Sequence, residues 1–268
     1  MTYDVSINVD AEEPVTQDLV DIVWDGARTG RFDSSPLSGR WSIDEGERAQ
    51  LAVLSRWVGE GRSRAGWKVG LTSGAVRDSF GPGVRPFGFL LRERVFESGA
   101  TIDLGQMSRP GVETELCFRV GRRLAGGVDA DEVARSLSWV APAFELNERR
   151  IDGPQDPGIR VADNLTQWGI VVGPPVSPLP DRSVFEKTVS TLSRDGQVLE
   201  SVAADGHIDD HYLSIARLAA ELAKFGLAVE EGDLVITGSF AKHRDGIPPG
   251  EYTGAFEGIG EVRATFTP

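Results

Sequence analysis

An α+β fold, with a helical segment at residues 1–65 and a β-rich body at 66–268, is predicted from three observations. Apolar residues recur at helical spacing before residue 65. From "GWKVGLTS" onward the texture changes to short apolar runs broken by turn residues, and the 32 Gly and 15 Pro of the chain supply the punctuation. The predicted strands follow one another with only two helices inserted, which is not the regular alternation of a βαβ fold.

Taken in order, "TQDLVDIVWDGARTG" sets Leu19, Val23 and Ala27 on one helical stripe and stops at Gly30. The next helix opens on a capping-box pair, Ser42 and Glu45, carries Leu51, Leu54 and Val58, and closes at Gly59 and Gly61. Strands are predicted at 112–120, 143–146, 168–172, 187–193, 197–202, 234–237, 252–256 and 262–266. Asp195-Gly196 between two of them is a type I′ hairpin sequence. The inserted helices are "DADEVARSLSWV", with Val133, Leu137 and Val140 on its stripe, and "DDHYLSIARLAAELAKFG", with Leu218, Leu222 and Phe225 before Gly226. No repeat or low-complexity linker divides the chain.

The composition excludes several classes of function. Of 268 residues, 41 are acidic and 28 basic, a net charge of −13, which opposes binding to nucleic-acid phosphates or an anionic membrane surface. No apolar run approaches the ~20 residues of a membrane span, and no basic and apolar leader opens the sequence. A single cysteine, Cys117, forms no intrachain disulfide and reads as a small packed hydrophobe. The expectation is a cytoplasmic protein in a reducing compartment.

Chemistry is concentrated in "GVETELCFRV". Alternation along a strand puts Val112, Thr114, Leu116, Phe118 and Val120 on one face and Glu113 and Glu115 on the other. On a solvated face these are two ordinary charges; on a buried face they repel unless a cation lies between them. Glu145, in "APAFELNERRI", adds a third carboxylate from another apolar run. Three carboxylates without clustered His or Cys suit a hard ion, Mg²⁺ or Mn²⁺, and disfavour zinc. From spacing alone, solvated charge and metal ligand both remain open.

Several segments together resemble one family. "RPGVETELCFRVGRRL" is similar to the P-x-V-E-x-E-I-A-F-V-L-G-x-x-L segment of the 2-hydroxypentadienoate hydratase and 4-oxalocrotonate decarboxylase group, within the fumarylacetoacetate hydrolase superfamily. "GWKVGLTS" resembles that group's G-Y-K-V-G-L-T-S, "APAFELNERRI" its x-P-A-x-E-x-x-x-S-R-I, and "VADNLTQWGIVVG" its A-D-N-A-S stretch. "LAKFGLAVEEGDLVITGS" and "GIGEVRATF" resemble its later segments in the same order, so the likeness runs from about Pro36 to the end. The resemblance implies a mixed β-sandwich or roll and a homo-oligomer built from dimers. It also implies a Mg²⁺ or Mn²⁺ site at Glu113, Glu115 and Glu145. Lys68 stands at the group's catalytic lysine. Leu71, Thr72, Asp163, Thr166, Ser239 and Arg244 are the implied contacts to a small 2-oxo acid substrate, with a cap or turn role as the alternative for Asp163 and Asn164.

Two departures bear on the reaction. Where hydratases of the group carry an aspartate before F-G, this chain has Pro86 in "RPFGFL", which cannot transfer a proton; the decarboxylase branch also has an apolar residue there. A displaced group such as Glu148 could stand in for it. The basic cluster Lys242, His243 and Arg244 reads either as an exposed loop or as the site of a second substrate carboxylate. His207 and His211 read as capping or surface residues.

The expected function is therefore a metal-dependent lyase on a short unsaturated 2-oxo or 2-hydroxydienoic acid, a hydratase first and a decarboxylase of a 2-oxo-hexenedioate second. Carbon–carbon bond hydrolysis of a 1,3-dicarbonyl ranks lower, since no histidine precedes His207. A catalytically weak partner subunit ranks lower too, since all three glutamates and Lys68 are retained.

Overall fold

The computed structural model describes residues 14–243 and 246–268, so Arg244 lies outside the described residues. Helices α1 (Pro14–Thr29) and α2 (Ile43–Gly59) flank the short strand β1 (Phe32–Asp33). The body follows with β2 (Arg64–Val69), β3 (Phe87–Leu91), β4 (Val95–Glu97), β5 (Ala100–Asp103), β6 (Pro110–Val120), α3 (Ala130–Ser136), β7 (Leu137–Glu148), β8 (Ile151–Asp152), α4 (Pro157–Ala162) and β9 (Gln167–Val172). The chain then continues through α5 (Arg182–Lys187), β10 (Val189–Arg194), β11 (Gln197–Ala203), α6 (His211–Ala223), β12 (Leu234–His243), β13 (Gly250–Phe256) and β14 (Gly260–Thr267).

Ser42 and Glu45 form the predicted capping box at the start of α2, each side chain bonded to the other's backbone N–H. Val58, predicted on the apolar stripe, is 40% exposed, and Trp57 is buried instead. At the β10–β11 hairpin Asp195 and Gly196 take φ values of 50° and 78°, as a type I′ turn requires.

Two sheets carry the body: a mixed seven-stranded sheet in the order β3-β2-β12-β6-β7-β9-β4, and a five-stranded sheet in the order β11-β10-β13-β14-β5. Val112, Phe144, Leu146 and Val171 of the first pack on Leu192, Tyr252, Val262 and Phe266 of the second in one apolar cluster. Thr114 ties the layers, because its Oγ1 accepts from Ser190 Oγ at 2.8 Å and from Ala241 N at 3.0 Å. A larger cluster joins α1, α2 and α6, through Leu19, Leu54 and Leu218, to Trp67, Phe87 and Phe118 of the seven-stranded sheet. Buried Gln50 of α2 donates to Phe87 O at 2.9 Å and Val161 O at 2.8 Å, and so fastens the N-terminal helices to β3 and α4. No described helix is long and apolar enough to cross a membrane.

The first of the two inserted helices is shorter than its apolar stripe suggested. α3 ends at Ser136, and Leu137 and Val140 belong to β7. The cause is long-range: β7 pairs antiparallel with β6 from Val120↔Leu137 to Pro110↔Glu148, and that ladder overrides a local 3.6-residue pattern. The predicted elements also leave out β1 to β5, β8, α4 and α5, all of them short.

His211 is a second correction. It is 4% exposed, enclosed by Phe118, Phe185 and Phe240, with Nδ1 2.8 Å from Thr237 Oγ1. Burial pushes its pKa down to about 4. A histidine lowered from 6.5 to about 4 is neutral in the folded protein and contributes stability that is present above pH 6.5 and lost as pH falls towards 4. Urea titrations at pH 7 and pH 4.5 are expected to differ by up to about 3 kcal/mol more in the native protein than in His211→Gln. An equal pH dependence in the two would remove His211 as the cause.

Candidate functional site

The β6–β7 register sets Glu113 directly opposite Glu145, and the period of two puts Glu115 on the same face. All three are buried, at 4%, 3% and 1% exposure, and each offers a carboxylate oxygen within 4.8 Å of the others. The solvated alternative is thereby ruled out. A bulge in β12 turns the N–H of Gly238, φ +138°, onto Glu115 Oε2 at 2.8 Å. Burial first, and then Glu145, raises the Glu115 carboxyl well above the usual range, while Lys68 and the Gly238 N–H pull it back. Three buried carboxyls so close together repel one another when ionised, and a cation between them would relieve that repulsion.

Lys68 supplies one such charge. It stands on β2 opposite Gly88 of β3 and beside Ile236 of β12, and its Nζ donates to Glu145 Oε1 and, at 3.2 Å, to Leu165 O. Asn164, Leu165 and Thr166 form a run of left-handed residues, with φ 56°, 50° and 65°, which turns the Leu165 carbonyl towards the ammonium. The Asn164 amide holds that turn by accepting from Phe89 N at 2.8 Å and donating to Phe89 O at 3.0 Å.

Gly88 leaves the room this arrangement needs, since a Cβ there would lie 2.8 Å from Lys68 Cγ and 3.0 Å from Asn164 Oδ1. Gly88→Ala is expected to displace both, at a cost of about 1–3 kcal/mol in stability and roughly tenfold or more in kcat. Denaturant titration and initial rates on the purified variant check it; unchanged kinetics would mean that Lys68 tolerates displacement.

Above the glutamates opens a cavity of about 240 Å³. Leu71, Thr72, Thr166 and Ser239 line it together with Lys68 and the glutamates. Thr72 Oγ1 is buried with no hydrogen-bond partner among the described residues, and Ser73 and Ser239 hydroxyls lie 3.4 Å apart on the same wall. Asp163 is not on the wall. It lies behind, 1% exposed, where its Oδ1 accepts from Arg150 Nε at 2.8 Å, and burial pushes its pKa up to about 7.

Other candidates fall outside the cavity. Glu148 accepts from Ser108 N at 2.9 Å and lies 3.5 Å from Arg150, so it does not stand in for an aspartate at Pro86. Lys242 stands opposite Glu113 in the ladder but not on the cavity wall. Cys117 is fully buried beside Glu115, and burial raises its thiol pKa, which leaves it inert. His207 is behind Ser239, with Nε2 3.3 Å from that residue's carbonyl oxygen.

The sequence reading missed three arginines, Arg149, Arg150 and Arg160, and the amides Asn147 and Gln155, which all line the cavity. The signal was present: "NERRI" continues directly from the strand that carries Glu145, so the residues after the strand end overhang the same face.

With this geometry in place, comparison with known proteins is informative. Residues 74–267 match the family model described as fumarylacetoacetate (FAA) hydrolase C-terminal. The chain is 30% identical over 220 residues to a 4-oxalocrotonate decarboxylase from a Pseudomonas species, covering 78% of this chain and 85% of that protein. It is 28% identical over 236 residues to a 2-hydroxyhexa-2,4-dienoate hydratase from Comamonas testosteroni, covering 84% and 87%. A solved structure of 4-oxalocrotonate decarboxylase from Pseudomonas putida G7, complexed with magnesium and adipate, superposes with a TM-score of 0.84 at 22% identity, covering 94% and 97% of the two chains. That likeness shows a shared fold.

Proposed function

The chain belongs to the fumarylacetoacetate (FAA) hydrolase C-terminal family, and from that premise we propose that it is a divalent-metal-dependent lyase acting on a short unsaturated 2-oxo or 2-hydroxydienoic acid, by hydration of the 2-keto-4-pentenoate type. One observation carries the reading: three buried glutamates converge within 4.8 Å and a buried lysine is bonded to one of them. In this reading Glu113, Glu115 and Glu145 hold Mg²⁺ or Mn²⁺, hard ions matched to an all-carboxylate set. When bound, such an ion supplies fixed positive charge beside the carboxylate and C2 oxygen of a 2-oxo acid.

The chain's own residues do the rest. The Lys68 ammonium is within reach of substrate above Glu145 and hands a proton to the terminal carbon of the dienol as the C2 hydroxyl loses its own and becomes a ketone; the hydroxyl of a water then adds at C4 and a proton goes to C3, so the enol proton and one water proton end on two carbons, Lys68 is restored and one water is consumed. Thr72 and Ser239 line the cavity and set hydroxyl-bearing side chains beside the substrate. Residues 66–268 carry this chemistry, and the segment 1–65 acts as a buttress through Gln50.

Decarboxylation is the second reading, favoured by a specific observation. The three glutamates are the only carboxylates lining the cavity among the described residues, no histidine lines it, and Pro86 offers no proton. Loss of a distal carboxylate as CO₂ needs no water-activating base, only acceptance of its electron pair along the conjugated chain and a proton at carbon afterwards. A cytoplasmic homo-oligomer built from dimers completes the proposal, and sedimentation measures its order.

The test is to incubate the protein and Mg²⁺ or Mn²⁺ with 2-hydroxypenta-2,4-dienoate and, separately, with 2-oxohex-3-enedioate, following dienol absorbance and CO₂. Loss of the first without gas supports hydration, and gas from the second supports decarboxylation. Silence in both, with either metal, overturns the lyase reading.

A further inference from the structure

We propose that Asp209 is a positioning residue for this site: it clasps the 71–77 wall of the cavity through Arg77 and Arg85, and so keeps Thr72 seated on Gly238, whose N–H holds Glu115. The inference rests on the lyase reading for the rate that the clasp controls.

Between the end of β2 at Val69 and the start of β3 at Phe87 the chain runs as one long connection. Connections longer than roughly 12–15 residues are uncommon and usually serve a function. Leu71, Thr72, Ser73 and Val76 of this one wall the cavity, and Leu71 does so in the left-handed region, with φ 57°. A leucine keeps that conformation only where its surroundings impose it. Here they include the segment 206–209: Asp209 N donates to Thr72 O, Gly74 N to His207 O and Arg77 Nη2 to Gly206 O, each at 2.9 Å.

The Asp209 carboxylate ties both limbs of the connection to that segment. Its Oδ2 accepts from Arg85 Nε at 2.7 Å and from Arg217 Nη1 at 3.2 Å, and its Oδ1 lies 3.5 Å from Arg77 Nη1. Arg77 follows the wall, Arg85 precedes β3, and Arg217 comes from α6, so one anion joins the two limbs to a helix of the core. Arg85 is buried, and charge-assisted hydrogen bonds are roughly twice as strong as neutral ones. Packing pins the segment only in part: Ile208 meets Gly238, but a cavity of about 300 Å³ opens beside Asp205, Gly206, Ile208 and Asp209.

From the clasp to the glutamates the path is short. A Cβ on Gly238 would collide with Thr72 Oγ1, so Thr72 fills the room that the glycine leaves. The same Gly238 donates its N–H to Glu115 Oε2 at 2.8 Å. Displacement of the wall therefore reaches Glu115 through one residue. Asp209 itself does not line the cavity, and its effect is carried by the residues it holds.

The experiment has an exchange arm and a turnover arm, both in Mg²⁺. Asp209→Asn keeps the shape and removes the charge. Hydrogen exchange read by mass spectrometry is expected to speed up in peptides covering 70–86 and 206–209, while β6 and β7 keep their native protection. On the substrate that the native protein turns over, kcat is expected to fall by about 10- to 10²-fold. Asp209→Glu, which keeps the charge, should recover part of both losses. Arg85→Gln should lower kcat as well, and the double variant with Asp209→Asn should lose no more than the larger single loss, since both substitutions undo one joint. Unchanged exchange over 70–86, faster exchange that extends through β6 and β7, or a double loss equal to the product of the single ones overturns the clasp. If Asp209→Asn fails to fold, Arg77→Gln, at the half-buried edge of the same joint, carries the exchange arm. Local loosening in a protein that turns over no substrate supports the clasp and defeats the lyase reading; native turnover by Asp209→Asn with an unchanged loop does the opposite.

Discussion

Lys68→Met is expected to lower kcat by about 10²- to 10⁴-fold while Mg²⁺ binds at least as tightly as to the native protein. The two halves of that result have one origin. In the structure the Lys68 ammonium is bonded to Glu145, one of the three carboxylates proposed to hold the ion, so it neutralises part of the same charge that would attract the cation. Removing it deprives the reaction of its proton carrier but leaves the glutamates more anionic. Methionine keeps the apolar stem among its neighbours, so the substitution changes charge more than shape. Without metal, the variant leaves buried Glu145 without the ammonium it is bonded to, at a cost of roughly 3–5 kcal/mol. Mg²⁺ should therefore raise the Tm of Lys68→Met by more than it raises that of the native protein. A variant with full turnover would assign proton transfer elsewhere; a variant that loses metal binding as well would make Lys68 a support of the cradle.

How far the site was legible in the sequence depended on whether its geometry is local. Glu113 and Glu115 share a face because strand period is two, and that could be read from ten residues. That the face is buried could not, because its cover comes from β12, β2 and the 164–166 turn, all distant in sequence. Glu145 reaches Glu113 through a ladder whose register is set by eleven residues of pairing, and that same pairing converted the end of the predicted helix at Leu137–Val140 into strand. The arginine wall was missed for a related reason. Arg149 and Arg150 come just after a strand end and Arg160 lies on a short helix, so apart from the continuation of β7 through "NERRI" no periodic pattern marks that these side chains converge. The capping box at Ser42 and the Asp195-Gly196 hairpin were legible because each is closed by residues within a few positions of one another.

Glu115→Gln should separate the two roles of the acidic cradle more sharply than any other substitution. Glu115 has its carboxyl raised well above the usual range, by burial and by Glu145, so keeping it ionised is costly in the metal-free protein. A glutamine of the same shape can still accept the Gly238 N–H that Glu115 Oε2 accepts at 2.8 Å, and it carries no charge to repel Glu145 or Glu113. The metal-free variant is therefore expected to melt no lower than the native protein, and above it if the carboxyl is ionised at the working pH. With metal the order reverses. At a Mg²⁺ concentration about 100 times the native Kd, the ion adds about 2.7 kcal/mol to native stability, and the variant, lacking one anion of the shell, should gain nearly none of it. Turnover should fall by at least about 10²-fold, because the fixed charge that stabilises the substrate oxygen is no longer held in place. Paired melting curves with and without Mg²⁺, on native protein and variant, measure all of this except the rate. A variant that keeps the native metal-induced shift would mean that the ion is held somewhere other than between these strands.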